Sequence, residues 1–215
     1  MKALLTSIGL SLLVGVAQAD SLNCREVGNW PFGQSYAGVL DSARNLAFCG
    51  SGGGVYVFDV SNPAAPLKLS EAIHTRGFVQ GLCYQTNRLY VVTDGAGLEI
   101  WDVTNPDEPA RLGYHDTPDT ARGVALAGNY AYVADDDAGL WVISVADPTN
   151  PTEVGYYVTP DRACGVAVAG NYAYVADYSA GLRVISVADP AHPSEVGYYD
   201  TPGTAWSVAV AGNYA

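Results

Sequence analysis

The sequence predicts an all-β fold made of repeated four-stranded units, and three observations support this prediction. First, residues 123–164 and 165–206 are copies of one 42-residue segment, identical at thirty-one of 42 positions. Second, each copy divides into four short apolar segments separated by Gly, Asn, Asp and Pro turn signals. Third, no helical periodicity follows the first twenty residues. A repeat of this size with four strands is typical of one blade of a β-propeller.

Each strand of the repeat has a recognisable end, which is clearest in residues 165–206. The first strand, GVAVA, ends at Gly170-Asn171, a pair suited to a tight hairpin. The second, YAYVA, ends in the loop at 177–181, and the third, LRVISV, ends at Asp189-Pro190 because proline cannot donate to a ladder. The fourth, EVGYY, ends at Thr201-Pro202. Because the strands are apolar at nearly every position, both faces of each sheet are predicted to be covered. A solenoid of stacked sheets is the alternative arrangement.

The repeat frame divides the chain into blades that begin after an N-terminal segment, residues 20–37. The predicted blades are residues 38–80, 81–122, 123–164 and 165–206, with the start of a fifth at 207–215. Residues 26–30 (EVGNW) align with the fourth strand at 195–199 (EVGYY) but have no first three strands before them. They are therefore predicted to close the ring against a blade from the other end. The repeat register therefore predicts that the ring is incomplete in this chain and that the chain is a fragment.

Two segments carry a resemblance to a known family. Residues 97–106, GLEIWDVTNP, and residues 54–63, GVYVFDVSNP, resemble the signature of the LVIVD-repeat proteins. The resemblance implies a secreted or surface propeller of bacterial type and covers residues 26–215, but it implies no particular activity. The later copies depart from the signature, since Ser144 and Ser186 stand where the earlier copies have Asp.

The first nineteen residues predict export. Lys2 precedes an apolar run over residues 3–16, and Ala17-Gln18-Ala19 supplies the small-x-small pattern of a signal-peptidase site. Cleavage after Ala19 would place the mature protein in the periplasm, outside the cell or on its surface. A membrane anchor is the alternative, but the run is shorter than the roughly 20 residues of a spanning helix. No later segment is predicted to span a membrane.

The charge of the chain excludes two classes of partner. Ten Lys and Arg oppose 22 Asp and Glu, which gives a formal net charge of −12. Nucleic acid and anionic lipid both need a basic patch that replaces counterions, so neither is predicted as a partner. The predicted partner is a protein or a glycan whose identity the sequence leaves open.

One face of the predicted propeller varies between copies and is the candidate binding face. The loops from second to third strand and from fourth strand to the next first strand share this face. Seven variable residues are predicted to lie there: Gln80, Arg122, Cys164 and Trp206 at the start of the innermost strands, and Asp94, Asp136 and Tyr178 in neighbouring loops. Binding usually resides where a constant scaffold carries varying loops. Drift at exposed positions after duplication is the alternative explanation.

Acidic loops on the same face raise the possibility of a metal. Asp135, Asp137 and Asp177 could offer oxygen ligands to Ca²⁺ at the rim. Ca²⁺ requires six to eight oxygens, and the spacing matches no calcium-binding loop. A solvated acidic turn is the alternative interpretation, and no other cofactor is predicted.

The cysteines and histidines give little support to catalysis. Cys24, Cys49, Cys83 and Cys164 are an even number in an oxidising compartment, and Cys49 with Cys83 is the least strained of the possible pairings. The three histidines occupy unrelated positions of the repeat, so no catalytic residue is predicted. We expect a non-enzymatic binding or interaction module. A hydrolase or lyase with a site at the channel mouth, and a structural envelope component, are the alternatives.

Overall fold

The computed structural model describes residues 35–215, which form sixteen β-strands in four antiparallel sheets. Blade 1 consists of β1–β4 and blade 2 of β5–β8: Ser35–Asp41, Leu46–Ser51, Gly54–Asp59, Leu67–His74; Val79–Gln85, Arg88–Thr93, Gly97–Asp102, Ala110–His115. Blade 3 consists of β9–β12 and blade 4 of β13–β16: Gly123–Ala127, Tyr130–Ala134, Leu140–Ser144, Thr152–Tyr157; Gly165–Ala169, Tyr172–Ala176, Leu182–Ser186, Ser194–Tyr199.

Each sheet keeps its four strands in chain order, and β1 and β5 begin at Ser35 and Val79, slightly before the predicted blade starts at 38 and 81. The prediction of an all-β protein with four-stranded antiparallel blades is therefore confirmed. The predicted signal peptide at 1–19 and the predicted closing strand at 26–30 lie outside the described residues. Within residues 35–215 there is no helix capable of crossing a membrane.

The blades are arranged with their first strands innermost. β1 contacts β5, β5 contacts β9, and β9 contacts β13, so the first strands follow one another around a common axis. Glycines permit this close approach: a Cβ on Gly123 would lie 3.2 Å from the Cα of Gly165, and one on Gly81 would lie 3.3 Å from the Cα of Gly123. The innermost strands thus bring equivalent positions of successive blades together.

Three apolar clusters fill the spaces between successive blades. The second strand of blade 3 shows how one strand serves two of them. Ala131 and Val133 pack against residues of blade 2, whereas Tyr132 and Ala134 belong to the cluster shared with blade 4. Both faces of β10 are therefore covered, as its nearly continuous apolar sequence predicted. Burying each large side chain in such a cluster contributes about 1.5–3 kcal/mol.

The constant face, formed by the other two sets of loops, is built from turn geometry. Gly128, Gly170 and Gly212 have φ of +57°, +58° and +59°, which are left-handed values that glycine adopts without strain. In the other set, Asp147 Oδ1 accepts from the backbone N–H of Thr149 at 3.0 Å. Turn geometry therefore accounts for the near-identity of these loops between copies.

Residues 207–215 retain part of the repeat. Ala211 and Tyr214 form an isolated antiparallel bridge around the turn at Gly212, although no named strand is present in this segment. The face of blade 4 directed away from blade 3 carries exposed Tyr172 and Tyr199, whereas the equivalent Tyr130 and Tyr157 of blade 3 pack partly against blade 4. The register of the repeat thus extends past blade 4.

Candidate functional site

The four variable residues at the start of the innermost strands line a single cavity. Gln80, Arg122, Cys164 and Trp206 surround a space of about 440 Å³, which we call the mouth. Between them lie Gly81, Gly123 and Gly165 and the backbone of the innermost strands. The shared register of these residues, inferred from the sequence, corresponds to real proximity in the fold.

A continuous row of side chains runs beside the mouth from Arg122 to Trp206. Arg122 Nη2 donates to Asp136 Oδ2, and Arg162 Nε lies 3.9 Å from Asp136 Oδ1. The Arg162 guanidinium sits 4.0 Å from the ring centre of Tyr178. Tyr178 in turn meets Trp206 edge to face, with ring centres 5.2 Å apart. We call these five residues the polar–aromatic row.

Charge pairing holds this row together. The hydrogen bond to Asp136 raises the pKa of Arg122, so this guanidinium stays protonated throughout the physiological range. The Arg162–Tyr178 stack adds about 0.5–1 kcal/mol at a partly exposed site. Two buried polar atoms of the row, Arg122 Nε and Asp136 Oδ1, have no hydrogen-bond partner among the described residues.

Two members of the row adopt left-handed backbone conformations. Asp136 has φ of +42° and Tyr178 has φ of +36°, whereas blade 1 places Gly52 at the same position with φ of +57°. A non-glycine residue at such a position costs about 1–2 kcal/mol. The two later blades therefore place an Asp and a Tyr at a position where the backbone favours glycine.

Asp94, the equivalent of Asp136 in blade 2, lies in a second cavity beside the mouth. Its Oδ1 accepts from the backbone N–H of Phe78 at 2.6 Å. Phe78 and Asp94 line an open space of about 640 Å³, which we call the groove. The ring of Phe78 is 62% exposed there. Asp94 thus fixes the loop that presents Phe78 rather than joining the polar–aromatic row.

The three aspartates predicted as calcium ligands have different environments. Asp135 is fully buried, and its carboxylate accepts from Thr117 Oγ1 at 2.6 Å and from the N–H of Asp119 at 3.0 Å. Asp177 is also buried and accepts from the N–H of Asp161 at 3.2 Å. Burial raises the pKa of both carboxyls. These two residues hold the loop that leads to the next innermost strand.

Asp137 is exposed instead. Across residues 35–215, no group of three or more His, Cys, Asp or Glu side chains is arranged to hold a metal ion. The Ca²⁺ hypothesis therefore stays a prediction, without geometric support from these residues.

Two residues of the site were not identified from the sequence. Phe78 and Arg162 occupy equivalent positions, each two residues before a mouth residue. Because alternate residues of an extended segment point to the same side, the register that identified Gln80 and Cys164 also contained the signal for Phe78 and Arg162. Outside the site, the sequence also did not single out Glu99. This residue is buried between blades and accepts from the N–H of Arg76 at 2.7 Å and from Trp101 Nε1 at 3.1 Å, which indicates a structural role.

The Cys49–Cys83 pairing, the least strained that the sequence offered, is not formed, since both side chains are free thiols. Phe48 packs toward blade 2, so its neighbour Cys49 points to the opposite face of blade 1. Cys83 packs into the cluster between blades 2 and 3. The two thiols therefore lie on different faces of different sheets. Cys164 is also free, and Cys24 lies outside the described residues.

Comparisons with known proteins agree with this architecture. The family model of the LVIVD repeat matches residues 45–72, 119–159, 161–201 and 202–215, more than half of the chain. No curated protein matches. Among the similar solved structures is that of the computationally designed Ika4 protein, with a TM-score of 0.61 and 12% identity over 77% of this chain and 95% of that one.

The computationally designed Ika8 protein is also similar, with a TM-score of 0.63 and 12% identity. The match covers 81% of this chain but 51% of Ika8, so the chain spans about half of that protein's length. At such identity these likenesses show the fold alone.

Proposed function

The chain belongs to the LVIVD repeat family, and we propose that it is an exported, non-enzymatic binding module whose ligand enters the mouth. One observation carries the proposal: four register-equivalent residues of different chemistry converge on one cavity. The opposite face consists of turns whose sequences are set by backbone geometry. The convergence of varying residues on one cavity favours ligand selection over undirected drift.

The mouth has the size and chemistry of a small-ligand site. Its volume of about 440 Å³ falls within the range of about 300–1,000 Å³ typical of such sites. Gln80 supplies an amide donor and acceptor, Arg122 supplies guanidinium donors, and Trp206 supplies an aromatic face. This combination orients a ligand by hydrogen bonds and buries its apolar surface.

The composition of the mouth favours binding over hydrolysis or elimination. Among the described residues, the side chains that line it include no histidine and no carboxylate, and these are the usual general acids and bases. Asp136, the carboxylate next to the lining, is held by Arg122. The export signal predicted at residues 1–19 supports a role outside the cytoplasm, in the periplasm, outside the cell or on its surface.

Chemical-shift mapping of the ¹⁵N-labelled full chain with a fragment library tests the proposal. The library contains neutral sugars, dipeptides and small carboxylates, so that no ligand class is assumed. We expect the largest perturbations at Gln80, Arg122 and Trp206, and none at Gly128 and Gly170 on the constant face. Fragments that map to the constant face or to the outer strands, or an absence of any bound fragment, would contradict the proposal.

A further inference from the structure

Exposed aromatic rings mark two neighbouring places on the variable face. Trp206 at the mouth is 56% exposed and Phe78 in the groove is 62% exposed. Large aromatic rings are normally buried, because each contributes substantially to stability when removed from water. Rings left exposed beside polar groups are suited to stacking against a ligand that has both an apolar face and hydroxyl groups.

The groove leaves the ring of Phe78 accessible because three glycines line it. Gly53, Gly77 and Gly95 contribute backbone but no side chains to this cavity. Gly77 cannot be replaced without displacement, since a Cβ there would overlap the backbone oxygen of Asp94. The flat, open floor of the groove is thus imposed by the path of the chain.

The groove and the mouth adjoin. Phe78 and Thr120 line the groove, and the residues two positions further along the same segments, Gln80 and Arg122, line the mouth. Positions two residues apart in extended chain are separated by about 7 Å. A ligand longer than a single ring could therefore occupy both cavities at once.

The charges around these cavities select against anionic ligands. Arg76 pairs with Asp116 at 2.5 Å, and Arg122 and Arg162 share Asp136. Each of these cations therefore has a carboxylate partner, and the chain as a whole carries a net charge of −12. Phosphate, sulfate or carboxylate groups would have to displace an existing ion pair and approach an acidic protein.

Polar side chains of the mouth favour hydroxyl groups. Gln80 and Arg122 line the mouth, and they carry an amide donor and acceptor and guanidinium donors. A hydroxyl both donates and accepts, so one that entered the mouth could pair with either side chain. The aromatic faces, the balanced charges and these two side chains together describe one class of ligand.

We propose that the variable face binds a neutral oligosaccharide, with one sugar ring stacked on Trp206 in the mouth and another on Phe78 in the groove. This inference rests on the proposed function and adds the ligand class and a second subsite. Gln80 and Arg122, which line the mouth, pair with hydroxyls of the first sugar. The groove binds the second sugar through its apolar face and the flanking Thr120.

Two parallel screens of the full chain test this inference. One uses an array of neutral and acidic glycans that includes mono-, di- and hexasaccharides, and the other uses a random peptide library displayed on phage. Wild type is compared with Trp206→Ala, Phe78→Ala and the matched control Tyr172→Ala, an exposed aromatic on the constant-face end of β14. Thermal unfolding verifies that all four proteins are folded.

Neutral glycans should bind wild type and Tyr172→Ala equally and bind Trp206→Ala at least about tenfold more weakly, a loss of about 1.4 kcal/mol. Phe78→Ala should weaken hexasaccharide binding while leaving disaccharide binding unchanged. Equal hexasaccharide binding by Phe78→Ala and wild type would overturn the second subsite. A preference for acidic glycans would overturn the ligand class.

The screens also separate this inference from the proposed function. If peptides but no glycans bind, and Trp206→Ala abolishes that binding, the saccharide is wrong and the binding function stands. If nothing binds in either screen, both are wrong. If Tyr172→Ala loses as much glycan binding as Trp206→Ala, the binding site does not lie on the variable face.

Discussion

Removing the Asp135 carboxylate should loosen the loop that leads to Arg122. In Asp135→Ala, the hydroxyl of Thr117 and the N–H of Asp119 lose their acceptor. Each buried donor left without a partner costs about 1–3 kcal/mol. Part of this cost is offset, because burial raises the pKa of Asp135 and the charged carboxylate is itself unfavourable there. We expect a net loss of about 2 kcal/mol in the free energy of unfolding.

Thermal and urea unfolding followed by circular dichroism measure this loss. For a domain of this size, about 2 kcal/mol corresponds to a Tm lower by about 4–8 °C. Asp137→Ala is the matched control, since Asp137 is exposed in the same loop and its replacement should change stability by less than about 0.5 kcal/mol. Equal stability of the two variants would refute the view that the carboxylate at position 135 fastens this loop.

Three further predictions follow from the same structure. Burial raises the pKa of Asp135 above its ordinary value of 3.8, so the folded chain binds a proton there more tightly than the unfolded chain. The stability that the protonated group contributes is lost as pH rises, so the free energy of unfolding lost in Asp135→Ala should be larger at pH 4 than at pH 7 when measured by urea unfolding. A larger loss at pH 7 would contradict this prediction. Gly139→Ala should lower the free energy of unfolding by more than about 3 kcal/mol, because φ is +84° and the new Cβ would overlap the carbonyl oxygen of Tyr157. Gly128→Ala, at φ +57° with open space around it, should lower it by about 1 kcal/mol. Similar losses for the two variants in urea unfolding would show that the close approach at Gly139 is absent. Burial raises the pKa of Cys49 to about 11, so iodoacetamide at pH 8 should label this thiol much more slowly in the folded chain than in urea, and equal rates measured by mass spectrometry would show that it is not buried.

The repeat register accounts for what the sequence could predict about the site. Once two copies align without gaps, the start of each innermost strand is known, and residues such as Gln80 and Trp206 must point toward the same axis. The same register contained Phe78 and Arg162, because alternate positions share a side. They differ less conspicuously between copies, because Thr120 and Thr204 stand at the same position, whereas all four copies differ at the position of Gln80.

Burial of individual aspartates could not be predicted in this way. Asp135 and Asp137 lie two residues apart in one acidic loop, yet the first is buried and the second exposed. The difference arises from contact with Thr117 and Asp119, in the loop that precedes blade 3. Such a contact depends on how two loops fold over each other, which residue type alone does not determine.

Strand geometry explains why Cys49 and Cys83 do not form a disulfide. Adjacent blades suggested proximity for Cys49 and Cys83, but proximity of sheets does not place two side chains on facing surfaces. Neighbouring residues of a strand point to opposite faces, and Phe48 occupies the face of β2 that meets blade 2. The alternation around Phe48 therefore directs Cys49 away from blade 2.

The indole N–H signals of Trp101, Trp141 and Trp206 offer the most direct test of the central claim, that a neutral oligosaccharide binds at the mouth. Trp101 is buried and donates to Glu99, and the indole nitrogen of Trp141 is also buried, so neither indole N–H is open to a ligand. Signals assigned by substitution with Phe are followed by ¹H–¹⁵N spectra while neutral hexasaccharides of glucose, mannose and galactose are added to the full chain. If a sugar binds at the mouth, we expect at least one of them to shift the Trp206 signal and to leave the signals of Trp101 and Trp141 in place. A Trp206 signal that never moves, or movement of Trp101 or Trp141 instead, would contradict it.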